Sequence, residues 1–215
     1  MKLNGETYIR HQPSNWNQID RNYRWNLFRV VFIMQESLNS KQSLINALKE
    51  CGAVRFGDFT LASGKKSSYY VDIKKASTDP VTLKKIAREA STVIRGMHAD
   101  AVGGVVLGSV PLATAVSLES GLPLVLIRKS DKSYGTGGRF VGDVREGSRI
   151  VLLEDVTTSG GSVSDAIKAI RSEGAIVEAV VTVVDRESGA SENLDSMDVR
   201  LIPLVRAGEL VSSSQ

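Results

Sequence analysis

One stretch, Ile150-Val151-Leu152-Leu153-Glu154-Asp155-Val156-Thr157-Thr158-Ser159-Gly160-Gly161-Ser162, limits what this chain can fold into more than any other. Its first four residues are β-branched or leucine, without polar alternation. That suits a strand buried on both faces, as in a parallel sheet. Two carboxylates, Glu154 and Asp155, stand at the strand's C-terminal end, and a hydroxyl-rich loop of small residues follows. From Val163 the spacing of Val163, Ala166, Ile167 and Ile170 predicts an amphipathic helix, with Gly174 as its stop.

Each part of this strand-loop-helix unit has a chemical use. Unpaired N–H groups of the loop and of the helix N-terminus favour a phosphate dianion, and Thr and Ser hydroxyls add donors. Glycines let the backbone close on the phosphate. The carboxylates repel that phosphate and need a different partner, which the vicinal hydroxyls of a ribose would supply, directly or through a cation. The ligand this pattern suits is a ribose 5-phosphate. The plainer alternative is a strand-to-helix turn in which Asp and Thr act as ordinary caps. The stretch is not a P-loop, because no Gly-Lys-Ser/Thr closes it, and it lacks the dinucleotide Gly-x-Gly-x-x-Gly.

Glu154 to Ser162 resembles the phosphoribosyl-diphosphate (PRPP) signature of type I phosphoribosyltransferases, in the version carried by orotate phosphoribosyltransferases. The resemblance covers about residues 40–210. It implies the type I phosphoribosyltransferase fold: α/β, with a central, mainly parallel sheet flanked by helices and a small N-terminal hood.

At 215 residues the chain is long enough for one substantial α/β domain. A single cysteine, Cys51, excludes an intramolecular disulfide and fits a reducing compartment. No apolar run approaches the roughly 20 residues needed to span a bilayer, and no cleavable secretory signal is recognisable. The expectation is a cytoplasmic protein without membrane contact. Residues 1–33 carry five bases (Lys2, Arg10, Arg21, Arg24, Arg29) against two acids (Glu6, Asp20), and six of the twelve aromatics. They read as an appended segment, with 34–215 as the phosphoribosyltransferase domain (hood about 40–75, core about 76–210). Bases interleaved with aromatics can also stack on nucleic acid. The body beyond residue 33 has as many acids as bases, however, so no nucleic-acid partner is expected.

In chain order, Leu44, Ile45 and Leu48 predict a short helix ending at Gly52. Phe56 to Asp72 reads as two strands around a Ser-Gly turn. This run resembles the hood over the base in orotate phosphoribosyltransferases, although Ala62 stands where many relatives carry a ligand-contacting lysine; Lys65 or Lys66 is the candidate substitute. Asp79-Pro80 opens a helix whose buried side is expected to hold Val81, Ile86, Ala90, Val93 and Ile94. Ala101 to Val106 is a strand, and Leu107 to Pro111 turns into a helix ending near Gly121. In the family this turn contacts pyrophosphate, often through a lysine that is absent here.

Strand Pro123 to Ile127 precedes Arg128 to Gly138, which holds three cations and three glycines in eleven residues. Composition alone allows a solvated loop or a mobile cationic flap. The resemblance favours a flap closing over PRPP, with Lys129 from one subunit and Arg128, Lys132 and Tyr134 from its partner, and so a homodimer. Ile176 to Val184 is a further strand, ending in Asp185-Arg186-Glu187. Such a cluster is by default a surface ion pair, whereas the family motif places Arg186 on the orotate carboxylate. Leu201 to Val205 is a last strand, limited to an edge by Pro203.

What the resemblance implies is transfer of ribose 5-phosphate from PRPP to N1 of orotate, giving orotidine 5′-monophosphate and pyrophosphate. Lys132, Glu154 and Asp155 would be catalytic. Arg128, Lys129, Lys132, Tyr134 and Glu154 through Ser162 would bind PRPP, and Thr158 and Arg186 would bind orotate. Mg²⁺ would arrive with PRPP rather than in a cage of protein ligands. Two other readings keep the PRPP signature: a phosphoribosyltransferase for another base such as a purine, and a PRPP-sensing transcription regulator.

Overall fold

The computed structural model describes Asn26, Val30, Gln35 and residues 38–60, 66–129 and 138–212. The chain divides into two units, Met1–Asn39 and Ser40–Gln215. The described residues of the first unit are helical.

The second unit opens with α1, helical over residues 40–50, which buries Leu44, Ile45 and Leu48. Next comes an antiparallel hairpin of β1 (Val54–Thr60) and β2 (Lys66–Val71), with Val54 opposite Val71 and an irregularity between Phe56 and Phe59. Lys66 donates to Thr60 Oγ1 across the hairpin at 2.8 Å. Ala62 and Lys65 lie outside the described residues.

Two helices follow, α2 (Ile73–Thr78) and α3 (Pro80–Ile94). Asp79 caps α3, its Oδ2 accepting from Thr82 N at 2.8 Å, and Pro80 takes the first helical position, where a missing N–H costs nothing. One expectation fails here: Val81 is 70% exposed. The buried stripe of α3 is Thr82, Ile86, Ala90 and Ile94, each four residues on from the last, so Val81 points away from it.

The sheet is built from β3 (Ala101–Val105), β4 (Leu124–Ile127), β5 (Phe140–Val141), β6 (Arg149–Thr157), β7 (Ile176–Asp185) and β8 (Arg200–Arg206). Its order is β5-β4-β3-β6-β7-β8, all parallel except the short β4–β5 pair. β8 lies at an edge, where Pro203 is tolerated. The connecting helices are α4 (Val110–Ser120), α5 (Gly161–Ser172) and α6 (Ala190–Asp195), and α7 (Ala207–Ser212) follows β8.

Both faces of the sheet are covered. Val151 and Leu153 of β6 pack with Ile86, Ala90, Leu112 and Val116 of α3 and α4. Ile150 and Leu152 pack with Val163, Ile167 and Ile170 of α5. This double burial is why β6 shows no polar alternation. Two boundaries differ from expectation. β6 continues through Thr157, because its ladder with β7 holds as far as Thr157 opposite Asp185, so the acid pair lies within the strand rather than after it. Helix α5 starts at Gly161 instead of Val163, since Gly160 adopts φ +78° and turns the chain at once. Among the described residues no helix is long and apolar enough to cross a membrane.

Candidate functional site

From β3 the chain moves outward to β4, then returns to place β6 on β3's other side. The strand order therefore reverses between β3 and β6, and an open α/β sheet leaves a crevice beyond the carboxyl ends of two such strands. The turn Val106–Ser109 follows β3 and Thr158–Gly160 follows β6, at the carboxyl ends of those two strands. The signature loop is in place because of where the sheet reverses.

A cavity of about 260 Å³ opens there, lined by Glu154, Val156 and the continuous run from Thr157 to Val163. The cap of α5 is Gly160, which has no side chain to satisfy the helix's first N–H groups. Those groups therefore remain available to an anion, with the dipole of α5 behind them. Thr158 and Ser159 are exposed and present hydroxyls. Thr157 differs from expectation: it is 2% exposed and its hydroxyl donates to Asp185 Oδ1 at 2.9 Å. What Thr157 offers a ligand is backbone, not its hydroxyl.

Glu154 lines the cavity and Asp155 does not, because consecutive strand residues alternate sides. Asp155 instead faces the β3–α4 turn: a Cβ on Gly108 would sit 2.9 Å from Asp155 Oδ2, while Asp155 Oδ1 accepts from Val156 N at 2.8 Å. Gly108 is thus a cradle for a carboxylate. Gly108→Ala is expected to displace Asp155 and lower turnover by about tenfold, a 1.4 kcal/mol effect, with the melting temperature little changed. Parent-like kcat in that variant would show that the contact does not matter.

Burial pushes the Glu154 carboxyl up to about 8, with the adjacent Asp155 carboxylate adding to the shift. The Ser109 hydroxyl offsets part of it, yet neither Glu154 Oε2 nor Ser109 Oγ completes a hydrogen bond, though both are buried. An orphaned carboxylate oxygen beside a polar cavity points to a ligand as its missing partner.

The end of β7 is pinned to the end of β6. Asp185, 5% exposed, accepts from both Thr157 Oγ1 and Glu187 N (3.1 Å) on one oxygen, and Arg186 N donates to Thr157 O at 2.9 Å. Glu187 Oε2 accepts from Gly208 N at 3.0 Å. Among the described residues no ion pair joins Arg186 to either acid, so the ordinary surface-cluster reading does not describe this site. The guanidinium lies over the Tyr69 ring, 5.9 Å from its centroid, which brings β2 of the hairpin to the same arginine.

On the far side of α5's first turn, Lys129, Arg139, Ser162 and Asp165 border a second cavity of about 120 Å³, which shares Ser162 with the first. Arg128 donates through its backbone to Arg139 O (2.8 Å) and through Nη1 to Gly138 O (3.0 Å), tying together the two ends of the cationic segment. Lys132 and Tyr134 lie outside the described residues. Sequence reasoning missed Arg139 and Asn193 and named Ser109 only as part of the Leu107 to Pro111 turn; the places of all three come from packing. Asp185 was seen only as a charge, although an acid closing a buried strand is itself a signal that its carboxylate has inward partners.

Comparison with known proteins bears on the same residues. The family model described as the phosphoribosyl transferase domain matches residues 76–203. An orotate phosphoribosyltransferase of Methanosarcina acetivorans is 66% identical over 171 residues, which are 80% of this chain and 91% of that protein. The crystal structure of orotate phosphoribosyltransferase from Aeropyrum pernix is similar at a TM-score of 0.71 and 33% identity, over 80% of this chain and 97% of that one. So is the Mycobacterium tuberculosis H37Rv orotate phosphoribosyltransferase solved with 5-phospho-α-D-ribosyl 1-diphosphate, at a TM-score of 0.68 and 28% identity, over 80% of this chain and 99% of that one.

Proposed function

Since the chain belongs to the phosphoribosyl transferase family, and within it to the orotate phosphoribosyltransferases, we propose how its own residues make orotidine 5′-monophosphate from orotate and PRPP in pyrimidine biosynthesis. The observation that carries the assignment of roles is the continuity of Glu154 to Ser162. One segment brings an orphaned carboxylate and the open N-terminus of α5 to the same 260 Å³ cavity.

The 5′-phosphate sits on the N–H groups of α5's first turn, with the Thr158, Ser159 and Ser162 hydroxyls around it. Glu154 then takes the ribose from within the cavity and Asp155 adds negative charge from the side of the β3–α4 turn, as the ribose carbon becomes positive while N1 of orotate approaches and pyrophosphate departs. No protein nucleophile is needed, so the enzyme's contribution is alignment and electrostatic stabilisation. Lys129 covers the pyrophosphate from the same subunit. Arg128, Lys132 and Tyr134 do so from the partner in a homodimer, excluding water as the segment closes.

The residues present fit Mg²⁺ as a companion of the diphosphate. Gly108 lets the Asp155 carboxylate approach the Val106–Ser109 turn, whose own side chains carry no charge to compete for an ion brought by the diphosphate. Held by the diphosphate and water, the ion would supply positive charge that assists departure of the leaving group. Purified protein with PRPP, Mg²⁺ and each of orotate, uracil, hypoxanthine and xanthine is expected to consume PRPP with orotate alone. Turnover of a purine, or of none of the four, would overturn the assignment.

Base choice falls to Arg186 with Thr158. Orotate differs from uracil by a carboxylate, and a charge-assisted, two-bond contact to a guanidinium contributes roughly 1.5–3 kcal/mol. Arg186→Ala is expected to lower kcat/KM for orotate by about tenfold or more, while the PRPP dissociation constant changes little. A variant that loses PRPP and keeps orotate efficiency would remove Arg186 from the base site.

A further inference from the structure

We propose that Asn193, on α6, is a positioning residue for the 5′-phosphate loop, holding the Ser159 carbonyl back so that the Gly160 N–H faces the ligand. This rests on the reading that Thr157–Ser162 takes the 5′-phosphate. Asn193 Nδ2 lies 2.8 Å from Ser159 O and 3.1 Å from Ser164 Oγ, and Ser164 Oγ in turn lies 2.9 Å from Gly160 O. Ser159 O can only accept, so the amide must present its NH₂ on that side. That group has two hydrogens, one for Ser159 O and one for Ser164 Oγ, whose own proton goes on to Gly160 O. Two successive carbonyls of the loop are therefore tied to groups outside the cavity.

A trans peptide is planar, with its C=O and N–H on opposite sides. Fixing Ser159 O toward α6 aims Gly160 N–H the other way, and fixing Gly160 O does the same for Gly161 N–H. Gly160 and Gly161 both line the cavity. Gly160 O also accepts from Ser164 N at 2.9 Å, so the helix holds that peptide by itself. Without Asn193 the Ser159–Gly160 peptide can turn, which removes a donor and puts a carbonyl oxygen against a dianion. The approach is close: a Cβ on Gly160 would stand 3.3 Å from Asn193 Nδ2 and 3.6 Å from Ala190. The brace also joins two ends of the site, because Gly189, with φ +96°, starts α6 just beyond Arg186.

Asn193→Asp keeps the shape and loses both donors, and Ser164→Ala removes only the relay to Gly160 O. The test measures dissociation constants for ribose 5-phosphate and PRPP, which carry the 5′-phosphate, and for pyrophosphate with Mg²⁺, which does not. Asn193→Asp is expected to weaken the first two by about tenfold or more and leave pyrophosphate within about twofold, with Ser164→Ala close to the parent because Ser164 N still holds Gly160 O. Unchanged ribose 5-phosphate binding, or equal loss for all three ligands as from general loosening, would overturn the inference. Gly161→Asp, which sets a carboxylate in the loop itself, separates the two readings. If it leaves ribose 5-phosphate binding intact, the loop is not the phosphate site. If it abolishes binding and Asn193→Asp does not, the brace alone is wrong.

Discussion

Asp155→Asn is expected to lower turnover by about 10²–10³-fold, the range seen when one preorganised electrostatic group is removed from an active site. The melting temperature should stay close to that of the parent. The substitution keeps the shape that fits against Gly108 and an oxygen able to accept from Val156 N, so the local structure has little reason to move. It removes negative charge beside the ribose, where positive charge develops as pyrophosphate leaves. Because that charge exists mainly in the transition state, kcat should fall much more than PRPP affinity. Steady-state kinetics with a titration of PRPP separate the two. Near-parent turnover, or a loss confined to KM, would take Asp155 out of the chemistry.

Glu154→Gln is expected to stabilise the ligand-free protein at alkaline pH while costing activity. The folded carboxyl titrates near 8 against an ordinary value of 4.5, with burial as the main cause. Below the ordinary value both states are protonated, and Glu154 contributes no pH dependence. As pH rises from about 4.5 to 8 the unfolded chain releases its proton and the folded chain retains it, so stability falls; above 8 the loss levels off. Each unit of difference is worth about 1.4 kcal/mol, which puts the whole effect at a few kcal/mol. Glutamine removes the slope. Melting temperatures at pH 5.5 and 8.5 should converge for the parent and variant at the lower pH and diverge at the higher, with the variant above. Parallel curves would mean that the carboxyl is not desolvated in the free enzyme. The same burial has a use when PRPP is bound, since a poorly solvated carboxylate responds strongly to the positive charge forming beside it.

Much of this molecule was legible because its signals are local. Ile150 to Leu153 announces a doubly covered strand through composition alone, Asp79-Pro80 marks a helix start through backbone chemistry, and Glu154 to Ser162 packs phosphate and ribose chemistry into consecutive residues. Local signals also misled where an element's limits depend on a neighbour. The acid pair lies inside β6 because β7 keeps pairing as far as Asp185, and Val81 is exposed because the i, i+4 stripe of α3 runs through Thr82.

Other features have no local signature at all. The Thr157 hydroxyl looked free for a phosphate and is instead held by an aspartate 28 positions away, which leaves only backbone for a ligand. Glu154 and Asp155 are adjacent in the chain, yet one lines the cavity and the other lies against Gly108 of a different turn. Asn193 sits 34 residues from the carbonyl it holds. Sequence by itself determined the chemistry available, since residue types and short spacings state which donors and charges exist and where an anion is welcome. Tertiary structure decided which of those groups face the ligand, because strand pairing and helix packing commit some polar side chains to one another and leave the rest free to bind.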